Sequence, residues 1–292
     1  MNTLVFDLGG TKCDVGVFDE NGKLLKKKRI LTEAEKGREV VLQQLFDLTE
    51  KFVADFKITK CVIGVPGRVS GDRATVIKLP NIAGFENFNL AEIFQSKFPE
   101  MECFVENDAN LFALGAYASL KEKPEVFVGI TFGTGIGGGV IVNGQLVRGE
   151  DALAGEFGHI VIEKDGLQCH CGQKGCWEKY ASAQGFSHKI ESYLQKEKIT
   201  MEEIAEALAQ KDAFIFEMLN ETVDFMAIGL ANILHTIDPS VIAFGGSLGN
   251  LLPYYSADLK QKVTKRLLGK NTHCEFMTVE DRDVQLRGGL LV

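Results

Sequence analysis

Three cysteines and two histidines crowd one short stretch of the chain: His159, then Cys169-His170-Cys171, then Cys176. Thiolate and imidazole suit a borderline-soft dication, and three sulfurs with one ring nitrogen complete a tetrahedral shell. On composition either His159 or His170 has the chemistry to supply that nitrogen. Four protein ligands leave no position for water, so the expected ion is a structural Zn²⁺ rather than a Lewis acid. The glycines at 172 and 175 permit tight turns between ligands. The chain has seven Cys, an odd number. With no visible signal peptide, the cluster reads as metal-binding rather than disulfide-bonded. Cys13, Cys61, Cys103 and Cys274 lie in or near apolar strands and are expected to be buried bystanders.

A second chemistry is written in glycines. Asp7-Leu8-Gly9-Gly10-Thr11-Lys12 and Gly133-Thr134-Gly135-Ile136-Gly137-Gly138-Gly139 are turns in which bare backbone N–H groups can close around phosphate oxygens. Gly133-x-Gly135-x-x-Gly138 spells the dinucleotide fingerprint, but that motif must open a helix. Here Val140-Ile141-Val142 and Asn143-Gly144 follow, a strand and a hairpin, so the fingerprint fails its context. No Walker A sequence is present. A third constellation is Glu106-Asn107-Asp108-Ala109-Asn110, where a carboxylate stands at a strand-to-helix junction. Alone, Asp108 would cap a helix. Phosphoryl transfer to an alcohol, however, needs a base that accepts the hydroxyl proton. Glu156 and Glu178 flank the cysteine cluster, and carboxylates suit sugars because each oxygen accepts from adjacent hydroxyls.

The elements that carry these residues form an internal echo. Strand, glycine turn, strand, Asn-Gly hairpin, strand occurs first through Asp7 and Asn21-Gly22, and again through Gly133 and Asn143-Gly144. Val41, Leu45, Leu48, Phe52 and Phe56 recur at helical spacing. Residues 61–65 and 103–105 read as buried strands, and a helix is expected from about 108 to 120. Residues 214–237 are apolar nearly all round, a buried helix stopped by Asp238-Pro239. Val241-Ile242-Ala243-Phe244 is a strand running into Gly245-Gly246-Ser247. Strands alternating with helices give an α/β class, with the join between lobes near Glu122-Lys123-Pro124.

Composition narrows the partners. Over 292 residues, 45% hydrophobic and 25% charged content is that of an ordered globular chain. A net charge of -8 argues against nucleic acid, which demands clustered Lys and Arg. The basic run Lys26-Lys27-Lys28-Arg29 follows a strand and reads as a solvated edge. No apolar run approaches the ~20 residues of a bilayer span. A cytoplasmic protein with no membrane partner is expected.

In the order and spacing of these motifs the whole chain resembles the ROK sugar kinases of the actin/hexokinase superfamily. The resemblance implies a two-lobed actin-like (ribonuclease H-like) α/β fold with duplicated βββαβαβα-type lobes. Its expected parts are a small lobe at 1–121, a larger lobe at 122–283, and a short helix at 284–292 packing back on the small lobe. ATP would lie between the lobes. Asp7 would organise Mg²⁺ through water, beside Gly9, Gly10, Thr11, Lys12, Gly133, Thr134 and Gly135, with Gly245 and Gly246 at the adenosine. Asp108 would be the base. Gly67, Asn81, Asn107, Asp108, Glu156, His159 and Glu178 would bind the sugar. The pattern selects His159, with Cys169, Cys171 and Cys176, as the zinc ligands.

The implied reaction is ATP-dependent phosphorylation of a hexose or N-acetylhexosamine, glucose at O6 first. N-acetylglucosamine, N-acetylmannosamine and fructose are alternatives. A homodimer is implied. A non-catalytic sugar-responsive regulator is the alternative of a different class. Such relatives add an N-terminal helix-turn-helix, for which a first motif at Asp7 is expected to leave no room. Arg68, Phe85 and Ser247 depart from the usual Pro, Trp and Gly, and bear on pocket shape and adenine contacts.

Overall fold

Two five-stranded sheets of one design organise the protein. The computed structural model describes residues 1–270 and 273–292. In chain order the elements begin with β1 (Asn2–Leu8), β2 (Lys12–Phe18), β3 (Leu24–Leu31), α1 (Arg38–Val53), β4 (Ile58–Val65), β5 (Arg68–Val69) and β6 (Thr75–Lys78). Next come β7 (Phe88–Asn89), α2 (Leu90–Lys97), β8 (Glu102–Asn107), α3 (Asp108–Ser119), β9 (Val126–Phe132), β10 (Ile136–Val142) and β11 (Gln145–Val147). Then follow α4 (Glu178–Ala181), α5 (Ala183–Leu194), α6 (Met201–Ala209), α7 (Ala213–Thr236), β12 (Val241–Gly245), α8 (Gly246–Gly249), α9 (Leu252–Arg266), β13 (Glu275–Thr278) and α10 (Val284–Gly288).

The first sheet runs β3-β2-β1-β4-β8 and the second β11-β10-β9-β12-β13. In each, an antiparallel three-strand meander continues into two parallel strands. Each glycine-rich turn therefore joins the central strand to its antiparallel neighbour. The central strands read as apolar runs because both their faces are covered: Leu4, Val5 and Phe6, like Val128 and Ile130, are fully buried. A small three-stranded sheet, β5-β6-β7, sits beside the first.

The echo is not perfect at its hairpins. Asn143 and Gly144 both take positive φ, 51° and 77°, as a two-residue loop requires. The first hairpin spends residues 19–23 instead. There the Asp19 carboxylate accepts from the N–H groups of Asn21 and Lys23, both at 2.9 Å. That side chain supplies a turn the Asn-Gly pair would otherwise make alone.

The chain divides into two compact units. One comprises Met1–Leu120, Leu146–Ala154 and Asp281–Val292, the other Lys121–Gln145 and Gly155–Glu280. Within the first, Val5, Phe18, Val62 and Leu111 enclose Leu286, so the C-terminal segment belongs to its core. Arg73 also donates to the Val292 carbonyl at 2.5 Å. Within the second, α7 is apolar on most of its surface because it crosses the interior. The single Trp of the chain, Trp177, is fully buried against it and donates from Nε1 to the Phe225 carbonyl at 2.8 Å.

The Trp177 ring meets Phe132 edge-on at 5.5 Å, and Phe132 in turn meets Phe244 at 5.5 Å. Three segments that carry candidate site residues are thus locked by one aromatic stack. Trp177 fits only because α7 has no side chain at Gly229, where a Cβ would lie 2.1 Å from the indole. Gly229→Ala should overpack this contact and cost about 2–3 kcal/mol, read as a Tm lower by roughly 5 °C. An unchanged melting curve would show that the stack is not under that constraint.

Candidate functional site

In the first unit, β1 and β2 present the Asp7 turn. Gly9 N–H donates to the Lys12 carbonyl at 2.9 Å, closing the loop between register partners Leu8 and Cys13. Thr11 and Lys12 stand exposed at its tip, and Gly10 faces Asn81, whose Cβ would be 3.1 Å from a Cβ added there. Asp7 lies directly across the ladder from Asp14. Asp14 is held by Arg29 in a two-pronged pair, 2.7 Å to Nε and 2.6 Å to Nη2. Burial first, and the Asp14 charge second, push Asp7 up to about 6, against the pull of Arg29 and Lys27. The Asp7 side chain keeps part of its surface in solvent. It is a carboxylate held at a cost, which a cation would relieve.

The second arrangement in this unit is the end of β8. Asn107 is the residue that caps α3: its Oδ1 accepts from Ala109 N–H at 2.9 Å and Asn110 N–H at 3.0 Å. Asp108 is thereby released from the capping role and becomes the first residue of the helix, where the partial positive charge favours a carboxylate. Its Oδ1 accepts from Ala109 N–H at 2.8 Å. Asn107 Nδ2 donates to the Gly67 carbonyl at 3.0 Å, joining two of the expected sugar-binding residues. With both acceptor directions of Asn107 used in capping, what remains for a ligand is its second amide hydrogen.

Glu106, only 3% exposed, fixes this junction from behind. Its Oε1 accepts from Asn107 N–H at 3.0 Å and Asn110 Nδ2 at 2.9 Å, while Oε2 meets Arg148 at 2.7 Å and 3.2 Å. A buried carboxylate left without such a partner would cost about 3–5 kcal/mol. Arg148 therefore holds the strand end that carries Asn107 and Asp108, and the sequence reading missed it. It lies in Leu146–Ala154, forty-two positions from Glu106, with no spacing to betray it. The same segment explains one departure: Arg68 donates to the Asp151 carbonyl at 2.9 and 3.2 Å.

In the second unit, residues 133–136 form the other turn, with Gly133 N–H donating to the Gly135 carbonyl at 3.0 Å. Ala183 N–H donates to the Gly133 carbonyl at 2.9 Å, and Ile136 N–H to Glu178 Oε2 at 3.0 Å. Gly246, at φ 78°, lies against the Phe132 and Gly133 backbone, so Gly245-Gly246 abuts the turn. Thr134 is exposed at the tip.

The four expected metal ligands converge in the same unit. One donor atom from each of His159, Cys169, Cys171 and Cys176 lies within 4.8 Å of all the others. His159 Nδ1 is 3.8 Å from Cys169 Sγ, and Cys171 Sγ is 3.6 Å from Cys176 Sγ. Ligands about 2.3 Å from a tetrahedral ion stand ~3.7 Å apart, so the spacing suits one. Burial, then crowding by Cys171 and Cys169, pushes the Cys176 thiol up to about 12. His159 turns its other nitrogen towards Glu156, 3.9 Å away. His170 points its Nδ1 at Glu178 Oε1 at 3.3 Å, and with Cys169 and Glu178 forms a second possible donor group. Trp177, between Cys176 and Glu178, was also missed; a lone Trp beside a ligand was the available signal.

The family model for the ROK family matches residues 3–290. The chain is 32% identical to a glucokinase of Thermotoga maritima and 34% identical to an N-acetyl-D-glucosamine kinase of Yersinia pseudotuberculosis. Each comparison covers 90% of this chain and 87% of the relative. Among solved structures, the ROK family glucokinase from Streptomyces griseus in complex with glucose and AMPPNP superposes with a TM-score of 0.87 at 28% identity. That match covers 99% of this chain and 98% of the other. The duplicated sheets and both glycine turns are thus found in a sequence matched nearly from end to end, and the chain belongs to the ROK family.

Proposed function

We infer that this protein is an ATP-dependent sugar kinase acting on a hexose or N-acetylhexosamine, with the 6-hydroxyl of glucose as the preferred acceptor. The observation that carries the reading is the pair of equivalent turns, residues 9–12 and 133–136, at the same place in two sheets of identical strand order. Each turn, within its own unit, has bare glycine backbone of the kind that phosphate oxygens can approach. The glucokinase and N-acetyl-D-glucosamine kinase relatives support the acceptor class.

In this reading Asp108 accepts the proton of the sugar hydroxyl as its oxygen attacks the γ-phosphorus, and ADP leaves with the electron pair of the broken P–O bond. Asn107 and Asn81, with Gly67, are the proposed sugar contacts of the first unit, and Glu156, His159 and Glu178 are those of the second. Thr11, Lys12 and Thr134 attend the phosphates, with Gly9, Gly10, Gly133 and Gly135 supplying bare backbone and Gly245-Gly246 meeting the adenosine. Mg²⁺, when bound, neutralises phosphate charge, and Asp7 is the residue that would hold its water shell. Zn²⁺ on His159, Cys169, Cys171 and Cys176 would be structural, its shell being closed by protein. A cytoplasmic homodimer completes the proposal; among the described residues no helix is long and apolar enough to cross a membrane.

An ATP-coupled assay over a sugar panel tests the reading. Asp108→Asn should keep the fold and lose at least ~100-fold in kcat; near-normal turnover would remove Asp108 from the base role. Metal analysis should find about one zinc per chain, as a single four-ligand shell requires, and a folded chain free of metal would argue against the cluster. Asp7 gives a signature in the absence of nucleotide. Its raised pKa means the folded state holds the proton more tightly than the unfolded chain. Its contribution is complete below about pH 4 and is lost as pH rises through about 6. Asp7→Asn should therefore melt roughly 2–5 °C above wild type at pH 7.5 and converge with it near pH 4. Parallel curves across that range would contradict the assignment.

A further inference from the structure

Glu178 is bonded to the wrong partner for a residue whose whole task is to hold sugar. Its Oε2 accepts the N–H of Ile136, the residue that ends the second glycine turn, at 3.0 Å. The fit is tight: a Cβ on Gly135 would lie 2.3 Å from that oxygen. Position 135 is thus bare because a carboxylate occupies the space, and not only because a phosphate must approach. At 14% side-chain exposure, Glu178 is mostly withdrawn from water. A charge-assisted hydrogen bond in such surroundings is stronger than a neutral one. Its other oxygen faces His170 at 3.3 Å.

The carboxylate is itself rigidly mounted. It belongs to the first residue of α4, immediately after buried Trp177 and two residues after Cys176. Trp177 N–H donates to the Ile160 carbonyl at 2.8 Å and its ring is held by Phe132 and α7. Five residues on, Ala183 N–H, at the start of α5, donates to the Gly133 carbonyl at 2.9 Å. One short corner of chain therefore grips the turn at both ends, at Gly133 through an amide and at Ile136 through a carboxylate.

We propose that Glu178 is a positioning residue for the nucleotide: by accepting the Ile136 N–H it fixes the shape of residues 133–136, and so sets affinity for the ATP phosphates independently of sugar. This rests on the reading of that turn as a phosphate site. The backbone of a glycine turn samples many conformations, and phosphate binding must select one. A fixed acceptor at the end of the turn removes that selection cost before the nucleotide arrives.

The test is binding of the magnesium complex of AMPPNP to the full chain by titration calorimetry, with no sugar present. Glu178→Ala should weaken binding by about tenfold, whereas Glu178→Gln, whose amide oxygen can still accept from Ile136, should stay within about twofold of wild type. Gly135→Ala should also weaken binding, because its methyl displaces the carboxylate. In the Glu178→Ala background the same change should cost much less, the oxygen it strikes being gone, so the two effects are not additive. Melting curves for each variant check the fold, and the non-additivity stands even if both single changes lower Tm. Wild-type affinity in Glu178→Ala, or additive losses in the double variant, would overturn the role of Glu178 alone. Failure of the wild-type chain to bind AMPPNP would overturn the phosphate reading of the turn, and this inference with it.

Discussion

A turn built from glycine has no side chains with which to hold its own form. Beyond the one bond inside the turn, from Gly133 to Gly135, residues 133–136 take their shape from three neighbours: Glu178 at one end, Ala183 at the other, and the Gly246 backbone laid against Phe132 and Gly133. Much else in the second unit follows from this need. Trp177 is buried where it must be to aim Glu178, α7 gives up a side chain at Gly229 to receive it, and Phe132 shares its ring with both Trp177 and Phe244. The four side chains that could hold a metal converge on the loop that leads into the same corner.

The first unit solves the equivalent problem by different means. Its turn is closed by Gly9 and Lys12 within the hairpin, and its charged residue, Asp7, sits on the central strand itself. Precision there is concentrated two strands further along, on β8, where Glu106 ties together Asn107, Asn110 and Arg148. The duplication preserved strand order and the position of the turn, and the two copies have diverged in what supports them.

The sequence disclosed those features whose physics is local. Glycine turns, alternation of strand and helix, the apolar run of α7, and the spacing of three cysteines are each written within twenty-odd consecutive residues, and all were legible. The sequence alone would have made Asp108 the cap of α3, and in the structure Asn107 is the cap. Arg148 could not be read, because its partner lies in a distant strand and an arginine near a glycine carries no period. The second bond of Glu178 was hidden for a related reason: its partner is a backbone N–H, and every residue but proline has one.

The first unit is assembled from three stretches of chain, the last being Asp281–Val292. Leu286 fills its core, and Gly288 lies so close to Leu111 that an added Cβ would be 1.9 Å from the carbonyl oxygen. On the ribosome this arrangement reverses the usual order in which the N-terminal unit is finished first. The strand that bears Asp7 and the helix that opens with Asp108 emerge early, yet the cluster of Val5, Phe18, Val62 and Leu111 stays open until Leu286 has followed. The second unit, whose last residue is Glu280, has all of its chain synthesised before the first can close.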